Sequence, residues 1–188
     1  MTRALVRTVL SRATDHQWTL QGFGMFRLNL ERVGRIHVWD DRFAVPNVSI
    51  IHTHPWALRS TIISGVLENV RYGSMVAAPS AGNATHMRQT IATGEGGGLR
   101  GIPVAVKLVA AQPEVYGPGM MYEQQGDEIH ASFPRRGCVT LLERPKGEPL
   151  EHAFVYWPLG TEWVSAEPRP ALPGEVRKAI GYALDAWE

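Results

Sequence analysis

Cysteine is almost absent: Cys138 is the only one in 188 residues. That excludes an internal disulfide and a cysteine-based zinc cluster, and it suits a reducing, cytoplasmic setting. Any bound metal must then be held by histidine or carboxylate. An excess of charge is missing too, since 19 basic residues face 18 acidic ones. No window carries a basic run with interleaved aromatics, so neither nucleic acid nor a membrane surface is a favoured partner. No apolar stretch nears the roughly 20 residues that span a bilayer, which points to a soluble chain. Internal repeats are also lacking, and the length suits one domain over residues 1–188.

What is present is a series of short apolar runs broken by turn residues. They include "GMFRLNL", "GRIHVWDD", "NVSIIHTH", "LRSTIISG", "DEIHASF", "CVTLLERP" and "HAFVYWP". Strand length and richness in Val, Ile, Thr, Tyr and Trp predict an antiparallel all-β domain, a barrel or a sandwich. "PRRG" at 134–137 reads as a hairpin turn, and Gly65 separates two further strands. "SAEPRPALPG" reads as a surface linker. A closing helix over about 174–187 follows, with Val176, Ile180, Leu184 and Trp187 as its buried stripe. At the other end "MTRALVRTVLSRAT" has arginines and no acids, as a mitochondrial presequence has. The preferred reading is an amphipathic helix, with Leu5, Val6, Val9 and Leu10 packed on the domain. Gly96, Gly98 and Gly101 satisfy G-x-G-x-x-G, but proline and a β-branched run follow instead of a helix, so the stretch reads as a flexible loop.

The chemistry sits in "NVSIIHTHPW". On a strand, positions i and i+2 share a face, so His52 and His54 would lie side by side. Two neutral imidazoles on one face are half of a typical transition-metal site. Of the seven histidines, His130 lies in "YEQQGDEIHASFPRRGCVTLL", where a glycine turn precedes a histidine-bearing strand and a hairpin returns the chain.

An H-x-H strand followed much later by a turn and one more histidine resembles the two motifs of the cupin superfamily. His52, His54 and Gly65 match the first motif; Gly126 and His130 match the second. The resemblance spans roughly residues 25–145. It implies a single cupin-type barrel (a double-stranded β-helix, or jelly roll) over about 25–157, with the two terminal helices packed outside. It also implies His52, His54 and His130 as metal ligands. The glutamate of the first motif is missing, since Leu58 or Arg59 stands near its place. Three histidines leave up to three open positions on an octahedral metal. Cupins of the cysteine dioxygenase type also lack that glutamate and bind iron(II) with three histidines. "RIHVWDD", "SIIHTHPW", "STIISGVLENV" and "DEIHASF" are similar to their order of segments, with Trp39 shortly before the H-x-H. Their early-strand arginine holds the substrate carboxylate, and Arg27 is its nearest counterpart. Their Ser-His-Tyr relay has no match, because Thr140, Leu142 and Arg144 stand there.

Other residues admit two readings each. Arg35, His37 and Trp39 share a strand face, either a cavity wall above the metal or a solvent-facing stripe. Glu68 and Tyr72 share another, from which Tyr72 could donate a proton if that face points inward. Asp127 and Glu128 could orient the site or form a solvated turn. Cys138 is a buried core residue or a reactive thiol, with the core preferred. His86 reads as surface, and His16 and His152 as loop-flanking.

Two classes of function follow. The first is a non-haem iron(II) oxygenase of a small molecule, with zinc, manganese or nickel as other possible metals and Lewis-acid chemistry for zinc or manganese. The second is a non-catalytic cupin, a sensor or accessory protein that binds a small ligand. A homodimer through edge strands is expected by analogy with cupins.

Overall fold

A computed structural model describes residues 2–31, 34–76, 82–92, 98–164 and 167–187. Helix α1 (Arg3–Ser11) is followed by β1 (Thr19–Gln21), β2 (Phe23–Leu30), β3 (Gly34–Ala44), β4 (Ile51–His52) and β5 (Leu58–Ser64). Next come β6 (Leu67–Val76), β7 (His86–Ala92), β8 (Leu99–Ala110), β9 (Glu114–Tyr116) and β10 (Met121–Gln124). The chain ends with β11 (Ile129–Pro134), β12 (Val139–Glu143), β13 (His152–Pro158), β14 (Arg169–Pro170) and α2 (Pro173–Asp185).

The strands form two antiparallel sheets of mostly β architecture. One runs β10-β5-β12-β3-β2-β1-β14, the other β11-β4-β13-β7-β8-β6-β9. In the second, β11 pairs with both β4 and β6, so six of its strands close on themselves.

Alternation along the strands of the first sheet sorts its side chains into two layers. Phe26 and Leu28 of β2, Ile36 and Val38 of β3, and Val139 and Leu141 of β12 face outward into a core shared with the helices. Val6 and Leu10 of α1 enter that core, with Val176, Ala179, Ile180 and Ala183 of α2. Both helices therefore pack outside the sheet, as their spacing predicted. Leu184 and Trp187 are only partly buried against this core, and Leu5 is 50% exposed. Thr2 caps α1 by accepting from the Leu5 N–H at 3.3 Å. The opposite strand positions, Met25, Arg27, Arg35, His37, Trp39, Thr140 and Leu142, face the second sheet. Behind that sheet, Val106, Leu108, Ile129 and Tyr156 form a separate core.

Three strands escaped the sequence pattern. β1, β9 and β14 have two or three residues each, too few to show a period, and β14 lies in the proline-rich tail read as a linker. Its pairing with β1 ties that tail down. The glycine-rich stretch also differs from its reading: Gly96 lies outside the described residues, but Gly101 sits within β8 at φ +70°. The register with β7 shifts there, so a bulge absorbs both Gly101 and Pro103. Among the described residues, no helix is long and apolar enough to cross a membrane.

Gly65 joins β5 to β6 at φ +78°, where a Cβ would stand 2.8 Å from the Cα of Cys138. Gly65→Ala is expected to cost at least about 1–2 kcal/mol from the left-handed conformation alone. A urea midpoint equal to that of the unaltered protein would contradict this. Cys138 itself is fully buried, and burial pushes its thiol up to about 12. It is a core residue; the reactive-thiol reading fails because the thiolate is not populated near neutrality.

Candidate metal centre

β4 and β11 pair so that His52 stands directly opposite His130. The strand bearing the H-x-H is only two residues long, and His54 lies beyond its end. Hydrogen bonds hold the segment in its place. Thr53 N–H donates to Phe154 O at 2.9 Å, Phe154 N–H donates to Thr53 Oγ1 at 2.9 Å, and His54 N–H donates to Gly126 O at 2.8 Å. A glycine at 126 allows this close approach, because a Cβ there would lie 3.0 Å from both His54 O and Trp56 N and would push the segment back by a few tenths of an ångström. The glycine turn before His130 is thus what lets the two motifs touch.

The rings of His52 and His54 have centroids 4.7 Å apart, as do those of His52 and His130, and His54 and His130 are at 5.2 Å. One ligand atom from each of the three lies within 4.8 Å of the others. His52 Nδ1 is 2.8 Å from Ile50 O and His130 Nδ1 is 3.0 Å from Asn69 Oδ1. Both partners only accept, so both Nδ1 atoms carry the proton and both Nε2 atoms offer a lone pair. His54 Nε2 lies 3.1 Å from His130 Nε2. Without a cation His54 donates across this gap; a metal requires only that its proton move to Nδ1.

Burial lowers the pKa of all three histidines. For His54 and His130 the neighbouring imidazoles lower it further, with Arg35 adding to His54 and Arg71 to His130. The trio is neutral at pH 7, the state a metal requires. The three ligand atoms could together hold one metal ion.

The histidines face a cavity of about 210 Å³ between the sheets. Arg27 and Arg35 bring positive charge to it, and no carboxylate is among the described residues that line it. Trp56 stacks on His54 at 5.0 Å and 25°, and the guanidinium groups of Arg35 and Arg144 lie over its ring at 5.3 and 5.5 Å. Arg27 Nε–H donates to Thr19 Oγ1 at 3.2 Å. His37 is buried in the wall with its Nε2 unpartnered. Burial first, then Arg35 and Arg27, bring its pKa down to about 3. Of its two readings, the cavity wall is therefore the one the structure bears out.

Tyr72 is placed elsewhere. It packs behind the second sheet beside Ile129 and Tyr156, whereas Leu67 and Asn69, on the other face of β6, point toward the histidines. The condition on which Tyr72 would donate a proton, that its face points into the cavity, is not met, because pairing with β11 turns the even-numbered face of β6 away. The phenol that does line the cavity is Tyr122, with Ser60 and Ser132 in the same wall. β10 buries Tyr122 and Gln124 and exposes Met121 and Glu123, but Met-Tyr-Glu-Gln has no apolar-polar alternation from which that face could be read in the sequence. Asn69, the partner of His130, also went unread, since only strand register brings it there. Asp127 is exposed and Glu128 accepts from Gln125 N–H at 2.6 Å, as in a solvated turn. His86 bonds Thr85 Oγ1 at 2.9 Å and His152 lies near Glu151, both away from the trio. No protein-family model, curated protein or solved structure matches this chain.

Proposed function

We propose that this chain is a cupin-type metalloenzyme, an iron(II)-dependent oxygenase of a small anionic molecule. The observation that carries the reading is the convergence of three neutral imidazoles on a cavity that holds two arginines and no carboxylate. Two antiparallel sheets around that cavity, with ligands beside β4 and on β11, are what a jelly-roll cupin would have. Iron(II) on three imidazoles would supply one-electron chemistry with dioxygen, with up to three positions for ligands besides the protein. Arg27 and Arg35 hold the anion and orient it toward the histidines. Trp56 screens the centre from water, and the Tyr122 hydroxyl, in the same wall as Ser60 and Ser132, is the proton carrier in the cavity.

One observation favours a second reading, a ligand-binding cupin without chemistry. The side groups in the cavity do not titrate near neutrality: burial raises the pKa of Tyr122, and His37 stays neutral down to about 3. Oxygen uptake separates the two. Protein loaded anaerobically with iron(II) is expected to consume oxygen with a small carboxylate or a small thiol acid. Arg35→Met is expected to weaken the anion's apparent affinity by about 10–100-fold, the worth of a hydrogen bond to a charged group. Tight anion binding with no oxygen uptake would leave the binding module as the account. Activity with zinc or manganese in place of iron would redirect it to Lewis-acid chemistry.

A further inference from the structure

His52 borders two cavities. The second, about 270 Å³, adjoins the first, and Gln21 and Phe23 line both as well. The two chambers differ in character. Phe23, Ile91, Leu99, Val155 and Trp163 make the second largely apolar, and no lysine or arginine is among its described lining residues. Its hydroxyl oxygens are already engaged: Ser49 donates to Tyr156 O, and Thr53 accepts from Phe154 N–H at 2.9 Å. Glu167, at its edge, has an interaction of its own.

The site is therefore polarised at His52, with a cationic first chamber and a largely apolar second one. An anion is favoured at Arg27 and Arg35 and disfavoured beyond His52, while an alkyl or aryl group finds the reverse. Taken together the two chambers fall within the range of about 300–1,000 Å³ of small-molecule sites.

We propose that the substrate is an amphipathic monoanion. Its acid group lies toward Arg27 and Arg35, and its apolar tail passes Phe23 into the second chamber, so that the carbons joining head to tail cross the histidine centre. This rests on reading the trio as the metal centre that handles the substrate.

The test uses a series of probes, acetate, butyrate, hexanoate and octanoate, titrated calorimetrically into metal-loaded and metal-free protein. Trp163 in the second chamber and Trp56 in the first give a fluorescence signal for the same titrations. Binding is expected to tighten by up to about fourfold for each added CH₂ until the chamber is full. Leu99→Trp, which fills the chamber, is expected to collapse the ratio of octanoate to acetate affinity. Leu99→Ala, which enlarges it, is expected to preserve or raise that ratio, so that a misfolded tryptophan variant does not decide the matter. Affinity independent of chain length, no binding of any carboxylate, or an undiminished ratio in folded Leu99→Trp would each overturn the proposal. Chain-length dependence in protein that takes up no metal would support the second chamber while removing the metal reading. Stoichiometric metal without chain-length dependence would overturn the chamber alone.

Discussion

His130→Ala is expected to fold and to lose its affinity for divalent metal by far more than a hundredfold. The backbone of β11 pairs with β4 and β6 whatever side chain stands at 130, so the sheet survives the change. Only two imidazoles, those of His52 and His54 on alternate residues of one segment, would remain to chelate. Asn69→Ala is the graded companion. It leaves all three ligands in place but removes the acceptor, 3.0 Å away, that fixes the tautomer and orientation of the His130 ring. Loss of such an outer partner typically costs about 10–100-fold in metal affinity. Competition with a fluorescent chelator orders the three proteins. The order predicted is the unaltered chain, then Asn69→Ala, then His130→Ala, with circular dichroism showing the fold kept. Equal affinities for the unaltered chain and His130→Ala would place the metal elsewhere.

Metal-free protein is expected to lose stability steeply as the pH falls below the ordinary histidine value. His37, His52, His54 and His130 all have folded-state pKa values below 6.5, chiefly through burial. In the unfolded chain each takes up a proton as pH falls through 6.5, which the folded chain refuses. Their contribution is thus fully present above that value and drains away below it. For His37, whose folded value is about 3, the loss continues down to that pH. A histidine held neutral gives up about 1.4 kcal/mol per pH unit in this window. His37 and His130 are almost completely buried, while His52 and His54 keep some contact with solvent. Between about pH 7 and pH 5 His37 alone, with its folded value of about 3, accounts for a loss on the order of 2 kcal/mol, and the trio adds to it in the same direction. Urea unfolding at both values checks it, and His37→Gln should flatten the dependence. A stability that is unchanged or rises on acidification would contradict the burial on which the site's chemistry depends.

How much of this was legible in the sequence depends on the range over which each feature is fixed. The terminal helices were readable because Val6, Leu10, Val176 and Ile180 recur at helical spacing within their own segments. Most strands were readable for the same local reason: "HAFVYWP" and "LRSTIIS" are β13 and β5 as they stand. The histidine trio was readable because glycines mark it, and Gly126 leaves room for the H-x-H segment to touch the turn before His130. What could not be read is set by register between strands far apart in sequence. A shift of one residue reverses a face, so the side of β6 that points inward was open: Tyr122 lines the cavity and Tyr72 does not, and Asn69 went unseen. β4 shows the limit of pattern most plainly. An apolar run long enough for a full strand yields one of two residues, and it is side-chain and turn hydrogen bonds that aim His54.

The most direct measurement of the central claim is the metal content of untagged protein, as purified and after anaerobic loading with iron(II), read by elemental mass spectrometry beside His130→Ala. The account predicts near-stoichiometric iron in the loaded protein and its loss in the variant. Failure of the loaded protein to retain iron, zinc, manganese or nickel, or equal retention by the variant, would contradict it.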